Sequence, residues 1–312
     1  MSLPLLPVFA AWRQTLKAGY SFKALRGDLA AGLTVGIIAI PLAMALAIAV
    51  GVAPQYGLYT VLVAAPLIAL TGGSRFNVSG PTAAFVVILL PITQQFGLGG
   101  LLLCTMLAGL IMIAMGLGRA GRLIEFVPYP VTLGFTAGIG IVIATLQLKD
   151  LFGLSLSSQP LHYLEQVQVL LLALPSAHLG DALVAALSLA VLILWPRWVP
   201  KVPGHLAALA VGTLAGLALE ALGIPLATLG ERFSYSLDGV LHAGIPPFLP
   251  DFAWPWQLPA ANGQPLGLSF ELIRQLLAPA FAIAMLGAIE SLLCAVVADG
   301  MTGSKHDPNA EL

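Results

Sequence analysis

The sequence predicts an all-α polytopic membrane protein with about eight transmembrane segments, the third of them a short half-helix. Three observations carry that reading. Of 312 residues, 59% are apolar and 9% charged, against roughly 25% charged in an ordinary soluble domain. The charges leave long gaps: no Asp, Glu, Lys or Arg occurs from Leu29 to Ser74 or from Phe76 to Gly118, and each gap is wide enough for two crossings of roughly 20 residues. Turn signals divide each gap, Pro54, Gln55, Tyr56 and Gly57 in the first and Gln94, Gln95, Gly97, Gly99 and Gly100 in the second.

Taken in order, residues 1–27 carry Arg13, Lys17, Lys23 and Arg26 ahead of any long apolar run. This is the pattern of a cytoplasmic N-terminal segment rather than a cleavable signal peptide. Residues 28–118 hold spans 1 to 4. Residues 119–229 hold spans 5 to 7, at Pro130–Leu148, Gly180–Trp195 and Gly204–Leu222. Within them, Leu161, Leu164, Leu171 and Leu174 fall at helical spacing, as in a helix lying along the interface. Residues 230–270 are rich in proline (Pro246, Pro247, Pro250, Pro255, Pro259 and Pro265) and read as an extracytoplasmic loop. Span 8 occupies 271–298, its apolar run being Gln275–Ala298, and 299–312 begins a cytoplasmic loop. Alternating crossings from a cytoplasmic N-terminus put ten cationic residues inside (Arg13, Lys17, Lys23, Arg26, Arg75, Arg119, Arg122, Arg197, Lys201, Lys305) and three outside (Lys149, Arg232, Arg274). That is the positive-inside bias.

Lys and Arg total 13 against 14 Asp and Glu, so no basic surface is available to neutralise a nucleic-acid backbone. Cys104 and Cys294 both lie in apolar runs and read as small buried hydrophobes. The five histidines (His162, His178, His205, His242, His306) form no ligand pair at helical spacing, and no HExxH, GxSxG or phosphate-cradling loop appears. A membrane-embedded enzyme is therefore not expected, and neither is a cofactor or a metal.

The third span points towards function. Ser79, Gly80 and Pro81 precede it, and proline suits the first turn of a helix but not its interior. A helix from Pro81 to Thr93 has thirteen residues, about 20 Å against a hydrocarbon core of about 30 Å. The residues before it must then cross as extended backbone, which membranes tolerate only inside protein or beside a watery cavity. A helix that starts near the midplane presents free N–H groups and its positive dipole end to an anion, the arrangement of discontinuous helices in transporters. Ser79 and Thr82 add hydroxyl groups, and Gly80 allows close approach. A Ser-Gly-Pro turn capping an ordinary tilted helix is the plainer alternative. Pro41 falls near the middle of span 1, where a break would free a carbonyl, with a plain kink as the preferred reading. Glu290 is the one acidic residue well inside a span, and a carboxylate there is a functional candidate by default; a structural hydrogen bond to a neighbouring helix is the other reading.

These residues carry a resemblance. Pro41-Leu42-Ala43-Met44-Ala45, Pro54-Gln55-Tyr56-Gly57-Leu58-Tyr59, Thr71-Gly72-Gly73-Ser74-Arg75, Val78-Ser79-Gly80-Pro81-Thr82-Ala83-Ala84-Phe85, Gly134-Phe135-Thr136-Ala137-Gly138 and Ala288-Ile289-Glu290-Ser291-Leu292-Leu293 resemble the sulfate permease family of anion transporters, and within it most look like the bacterial aerobic dicarboxylate transporters. The resemblance implies two inverted seven-span repeats, of which this chain holds the first plus span 8. Spans 1 to 4 and 8 would belong to a core (transport) domain and spans 5 to 7 to a gate. It further implies a homodimer in full-length form, a following soluble domain, and a chain that does not transport alone. Carried over, Ser79, Thr82 and Ala83 would contact the anion and Leu42 and Leu46 would wall the site. Many members have Gln where this chain has Leu42, which weakens the case for a halide- or sulfate-like preference. Glu290 would hold the coupling proton or sodium. The function so implied is secondary transport of small dicarboxylates such as succinate, fumarate or aspartate across a bacterial inner membrane, coupled to protons. Carriage or channel conduction of inorganic anions (sulfate, bicarbonate, chloride) and a non-transporting scaffold are the alternatives.

Overall fold

The computed structural model describes residues 9–121, 129–156, 160, 162–199, 202–237 and 239–312. Arg122, Leu161 and Lys201, used above, lie outside them. Among the described residues, six helical segments are long and apolar enough to cross a membrane. All eight segments expected from the charge gaps are helical, and the fold class is as the sequence predicts. The molecule divides into two compact units, one made of residues 1–29, 43–137 and 249–312, the other of 30–42 and 138–248.

In the first unit, α1 (Ala10–Lys17) precedes α2 (Phe22–Ala49), which is capped by Ser21, whose Oγ accepts from the Ala24 N–H at 3.2 Å. Helix α2 continues through Pro41 as far as Ala49, so the proline does not end the helix. Helix α3 (Pro54–Thr71) starts on a proline, where the missing N–H costs nothing. It packs so closely on α2 that a methyl group on Gly57 would fall 2.0 Å from the Ala43 carbonyl oxygen.

Residues 77–82 form no helix or strand, with Thr82 in β-region dihedrals, a short 3₁₀ turn follows at Ala83–Phe85, and α4 runs over Val86–Leu117. Helical geometry is broken once, at Gly97 (φ 69°, ψ −168°). The chain reverses there, as its neighbours show. A methyl group on Gly287 would touch both Phe85 (3.5 Å) and Met112 (3.4 Å), residues on opposite arms of α4. Spans 3 and 4 are therefore a tight helical hairpin about one glycine, rather than helices joined by the loop that Gln94–Gly100 suggested. Gly97 and Gly99 also accept the close approach of the loop before span 8: the Gly99 N–H donates to the Pro259 carbonyl at 3.0 Å. A Cβ on Gly97 would lie 2.4 Å from the Ala260 carbonyl carbon.

The helix that carries Glu290 spans Phe270–Thr302 and packs along both arms of α4. Of its buried residues, Leu276, Ala280, Ile283, Ala284, Ala288, Leu292 and Ala295 recur every three or four positions as one stripe, with Leu286 buried beside it. Four of them are alanines. Small residues on the stripe let helices approach in lipid, where packing rather than water exclusion holds them together.

In the second unit, α5 (Tyr129–Leu151) has its later residues, and α6 (Tyr163–Ala173), α7 (Leu179–Trp198) and α8 (Gly204–Ala221) follow. The amphipathic stretch expected along the interface is α6. Helices α7 and α8 meet where Gly212 leaves room for Ser188. Asp181 accepts from the Ala227 N–H at 3.0 Å, and Arg232 pairs with Asp150 at 3.1 Å. The proline-rich loop opens with α9 (Leu229–Arg232) and contains one element the sequence reading missed, an antiparallel ribbon of β1 (Ser234–Leu237) and β2 (Val240–Ala243). Tyr235 stacks on His242 across it, ring centroids 5.4 Å apart. The span-8 helix is α10, and α11 (Pro308–Glu311) ends the described chain.

Candidate functional site

The non-helical chain before α4 ends at Thr82, which has β-region dihedrals (φ −124°, ψ 145°) and caps the 3₁₀ turn, accepting from the Ala84 N–H at 3.4 Å. The helical start therefore lies at Ala83, two residues beyond the predicted Pro81. The reason is local: Thr82 supplies a capping oxygen, and a capping residue takes extended dihedrals while the next begins the helix. Ser79 and Pro81 stay in the non-helical segment.

Thr82 and Glu290 come together. The Thr82 hydroxyl lies 2.6 Å from Glu290 Oε1, across 208 residues of sequence. Among the described residues, the buried Glu290 Oε2 has no hydrogen-bond partner. A buried polar atom without a partner costs on the order of 1–3 kcal/mol, more when charged. It is the kind of atom that waits for a proton or a cation. Ala83 begins the turn beside this pair, and Ser79, half-buried, lies three residues before Thr82.

Leu42 and Leu46, one turn apart on α2, fare differently. Leu46 is buried at 7% exposure in the first unit, whereas Leu42 is 50% exposed and belongs to the second. The Thr82–Glu290 pair is wholly in the first unit, so among the sequence-predicted residues the structure joins Thr82, Ala83 and Glu290.

One group beside the site was not read from the sequence. Glu311 accepts four hydrogen bonds: from the Gly73 N–H (2.9 Å) and the Ser74 N–H (2.8 Å) on Oε2, and from Asn77 Nδ2 (2.6 Å) and the Ser291 hydroxyl (3.2 Å) on Oε1. Asp299 accepts from the Ser304 hydroxyl (2.6 Å) and the His306 N–H (2.8 Å), with His306 Nδ1 at 2.7 Å. The Asp307-Pro308 pair, a capping residue followed by proline, was the available signal for α11. Nothing in composition or spacing says that Glu311 would face Gly73. Cys104 is buried, as expected, but Cys294 is exposed. Among the described residues no group of three or more His, Cys, Asp or Glu is placed to hold a metal ion.

A helix beginning inside a membrane-spanning unit, with a hydroxyl at its start hydrogen-bonded to an in-span carboxylate, defines a polytopic membrane protein built around a discontinuous helix. The comparisons name its kind. The sulfate permease family model matches residues 25–312, and the chain belongs to that family. It is 39% identical over 294 residues to the putative sulfate transporter YvdB of Bacillus subtilis, covering 94% of this chain and 51% of that protein. Among solved structures it is similar to the transmembrane domain of a cyanobacterial bicarbonate transporter, BicA, at 29% identity and a TM-score of 0.75, covering 94% of this chain and 70% of that one. The murine anion transporter Slc26a9 in an inward-facing state shares the fold at 18% identity, with a TM-score of 0.72 over 98% of this chain and 51% of that one. The chain spans about half the length of the curated relatives it matches.

Proposed function

We propose that this chain forms the anion-binding part of a secondary carrier for small oxyanions, with the anion held at the start of α4 by the N–H groups of the first turn, the Thr82 hydroxyl and the dipole. Supporting this is the Thr82–Glu290 pair, which places a hydrogen-bonding group and a titratable one at the same helix start. Movement of spans 1 to 4 and 8 as a core domain against spans 5 to 7 as a gate would give alternating access, in a full-length homodimer of an inner membrane.

The pair also supplies a chemical route to proton coupling. With Glu290 ionised, the Thr82 hydroxyl donates to it and its hydrogen is unavailable to an anion. When Glu290 takes a proton, the new O–H donates to Thr82 Oγ, and the threonine hydrogen turns to the anion. Protonation thus removes a repelling charge and presents a donor in one event. Loss of the proton reverses both. A cation held at Oε2 would neutralise the charge without turning the hydroxyl, so sodium coupling predicts a weaker dependence on Thr82.

Dicarboxylates remain the substrates proposed from sequence. The second reading, inorganic oxyanions, is favoured by the relatives named as sulfate and bicarbonate transporters. Binding of radiolabelled succinate and sulfate to the purified full-length transporter tests the site and separates the readings. Thr82→Val, which keeps the shape and removes the hydroxyl, should weaken binding of the true substrate about tenfold or more. Wild-type affinity in that variant would sink the assignment.

A further inference from the structure

We propose that Glu311 is a positioning residue for the anion site, a carboxylate that fixes the chain leading into Thr82 against the helix that carries Glu290; this rests on the reading of Thr82 and Glu290 given above. A carboxylate offers about four lone-pair sites, and Glu311 uses that many, on donors from two separate elements. Gly73, Ser74 and Asn77 belong to the non-helical segment between α3 and Thr82, and Ser291 is the residue next to Glu290 on α10. The two members of the site are therefore tied to one anchor, Glu290 through the adjacent residue and Thr82 through five residues of non-helical chain.

That segment needs an anchor. Backbone outside helices and strands has no ladder of its own, and its position is set by whatever satisfies its polar groups. Gly72 is still tied to the end of α3, its N–H donating to the Ile68 carbonyl at 2.8 Å, but from Gly73 to Asn77 the other hydrogen bonds among the described residues are longer: Ser74 Oγ accepts from the Phe76 N–H at 3.4 Å and the Asn77 N–H at 3.3 Å, and the Asp307 N–H reaches the Gly73 carbonyl at 3.5 Å. The contacts of Glu311 at 2.6–2.9 Å are charge-assisted and stronger than these neutral ones.

The anchor is itself held. Asp307 caps α11, its Oδ1 accepting from the Asn309 N–H at 3.0 Å and the Ala310 N–H at 3.3 Å. The helix is seated on two glycines without room for a side chain: a Cβ on Gly73 would fall 2.6 Å from the Asp307 carbonyl oxygen, and one on Gly121 would fall 2.4 Å from that of Pro308. Backbone meets backbone at both places, so α11 has one seat, and Glu311 reaches its four donors only from there.

The role is geometric rather than that of a coupling charge, and the two separate by substitution. Gln at 311 keeps a carbonyl oxygen for the Gly73 and Ser74 N–H groups, and the Asn77 amide can turn to accept from the new NH₂. Ala removes all four bonds. In the purified full-length transporter, binding of radiolabelled sulfate and succinate should weaken about tenfold or more in Glu311→Ala and stay within about threefold of wild type in Glu311→Gln. The pH dependence of binding should keep its midpoint in both.

Wild-type affinity in Glu311→Ala, with or without a lowered Tm, would reduce Glu311 to a fold-stabilising contact and overturn the proposal. Equal loss in Glu311→Gln and Glu311→Ala, or a moved pH midpoint, would overturn it in favour of a charge role. If Glu311→Ala does not yield folded protein, Asn77→Ala takes its place, removing one donor; an unchanged affinity there would also count against the anchor. Thr82→Val in parallel distinguishes the two levels. Wild-type affinity in Thr82→Val means that the site itself is wrong, whereas loss in Thr82→Val with none in Glu311→Ala means that only the anchor is.

Discussion

Glu290 shows what a single residue type can reveal and what it leaves hidden. An acidic group in an apolar span is rare enough for its function to be inferred from position alone, and Thr82 follows from a proline-marked helix start. That the two touch could not be read, because their contact closes a loop of 208 residues. Glu311 was invisible for the same reason: an acidic residue near a proline is ordinary until its partners are known. The coupling role of Glu290 has a direct test. Glu290→Gln imitates the protonated state, so the full-length transporter should retain substrate exchange yet lose both the pH dependence of binding and accumulation on an imposed proton gradient. Accumulation equal to wild type, measured as radiolabelled succinate uptake with and without the gradient, would return Glu290 to a structural role. Outside the spans, the Tyr20 hydroxyl donates to Asp28 at 2.5 Å, and this hydrogen bond holds the Tyr20 pKa above its ordinary value of 10.0. A raised pKa means that the contact contributes below the unfolded pKa and is lost as pH rises through the folded one. Asp28→Asn should therefore bring one tyrosine to a lower midpoint in an alkaline absorbance titration; an unmoved curve would show that the bond does not form in solution.

Among the elements, helices were legible and their breaks less so. Charge gaps and turn residues located eight helical segments, since a span must be long, apolar and bounded. The hairpin within α4 needed more than Gly97 in the sequence: its positive φ and the loop seated on it are tertiary facts. Pro41 leaves α2 continuous because a proline removes one hydrogen bond without having to end the helix. The β-ribbon escaped because its four-residue strands carry little alternation. Two glycines on α4 separate close approach from mere composition. A methyl group on Gly97 would meet the backbone of Ala260 and Ala261 at 2.4–2.6 Å while the residue sits at φ 69°, so Gly97→Ala should destabilise by about 1–3 kcal/mol or more. Gly109 has nothing within 4 Å, and Gly109→Ala should be neutral or stabilising by up to about 1 kcal/mol. Thermal denaturation in detergent compares them; equal midpoints would show that the turn at Gly97 is not tight.

For the whole molecule, composition identified a membrane protein, and the resemblance carried the rest. The ten-to-three distribution of cationic residues is the ground for the side proposed for each loop, and that proposal is open to chemistry. With Cys104 and Cys294 replaced by Ala, a cysteine introduced by Arg232→Cys should react with a membrane-impermeant maleimide in intact cells, and one introduced by Lys17→Cys only after the inner face is exposed. The reverse pattern would invert the orientation. Thr82, Glu290, Ser291 and Glu311 all lie in one compact unit, and this has a kinetic meaning. If that unit travels as a body, none of the hydrogen bonds joining these residues has to break on the way, so the bound ion is carried like cargo in a closed crate. Substitutions at the site should then alter how much is loaded and leave the speed of the empty return journey unchanged.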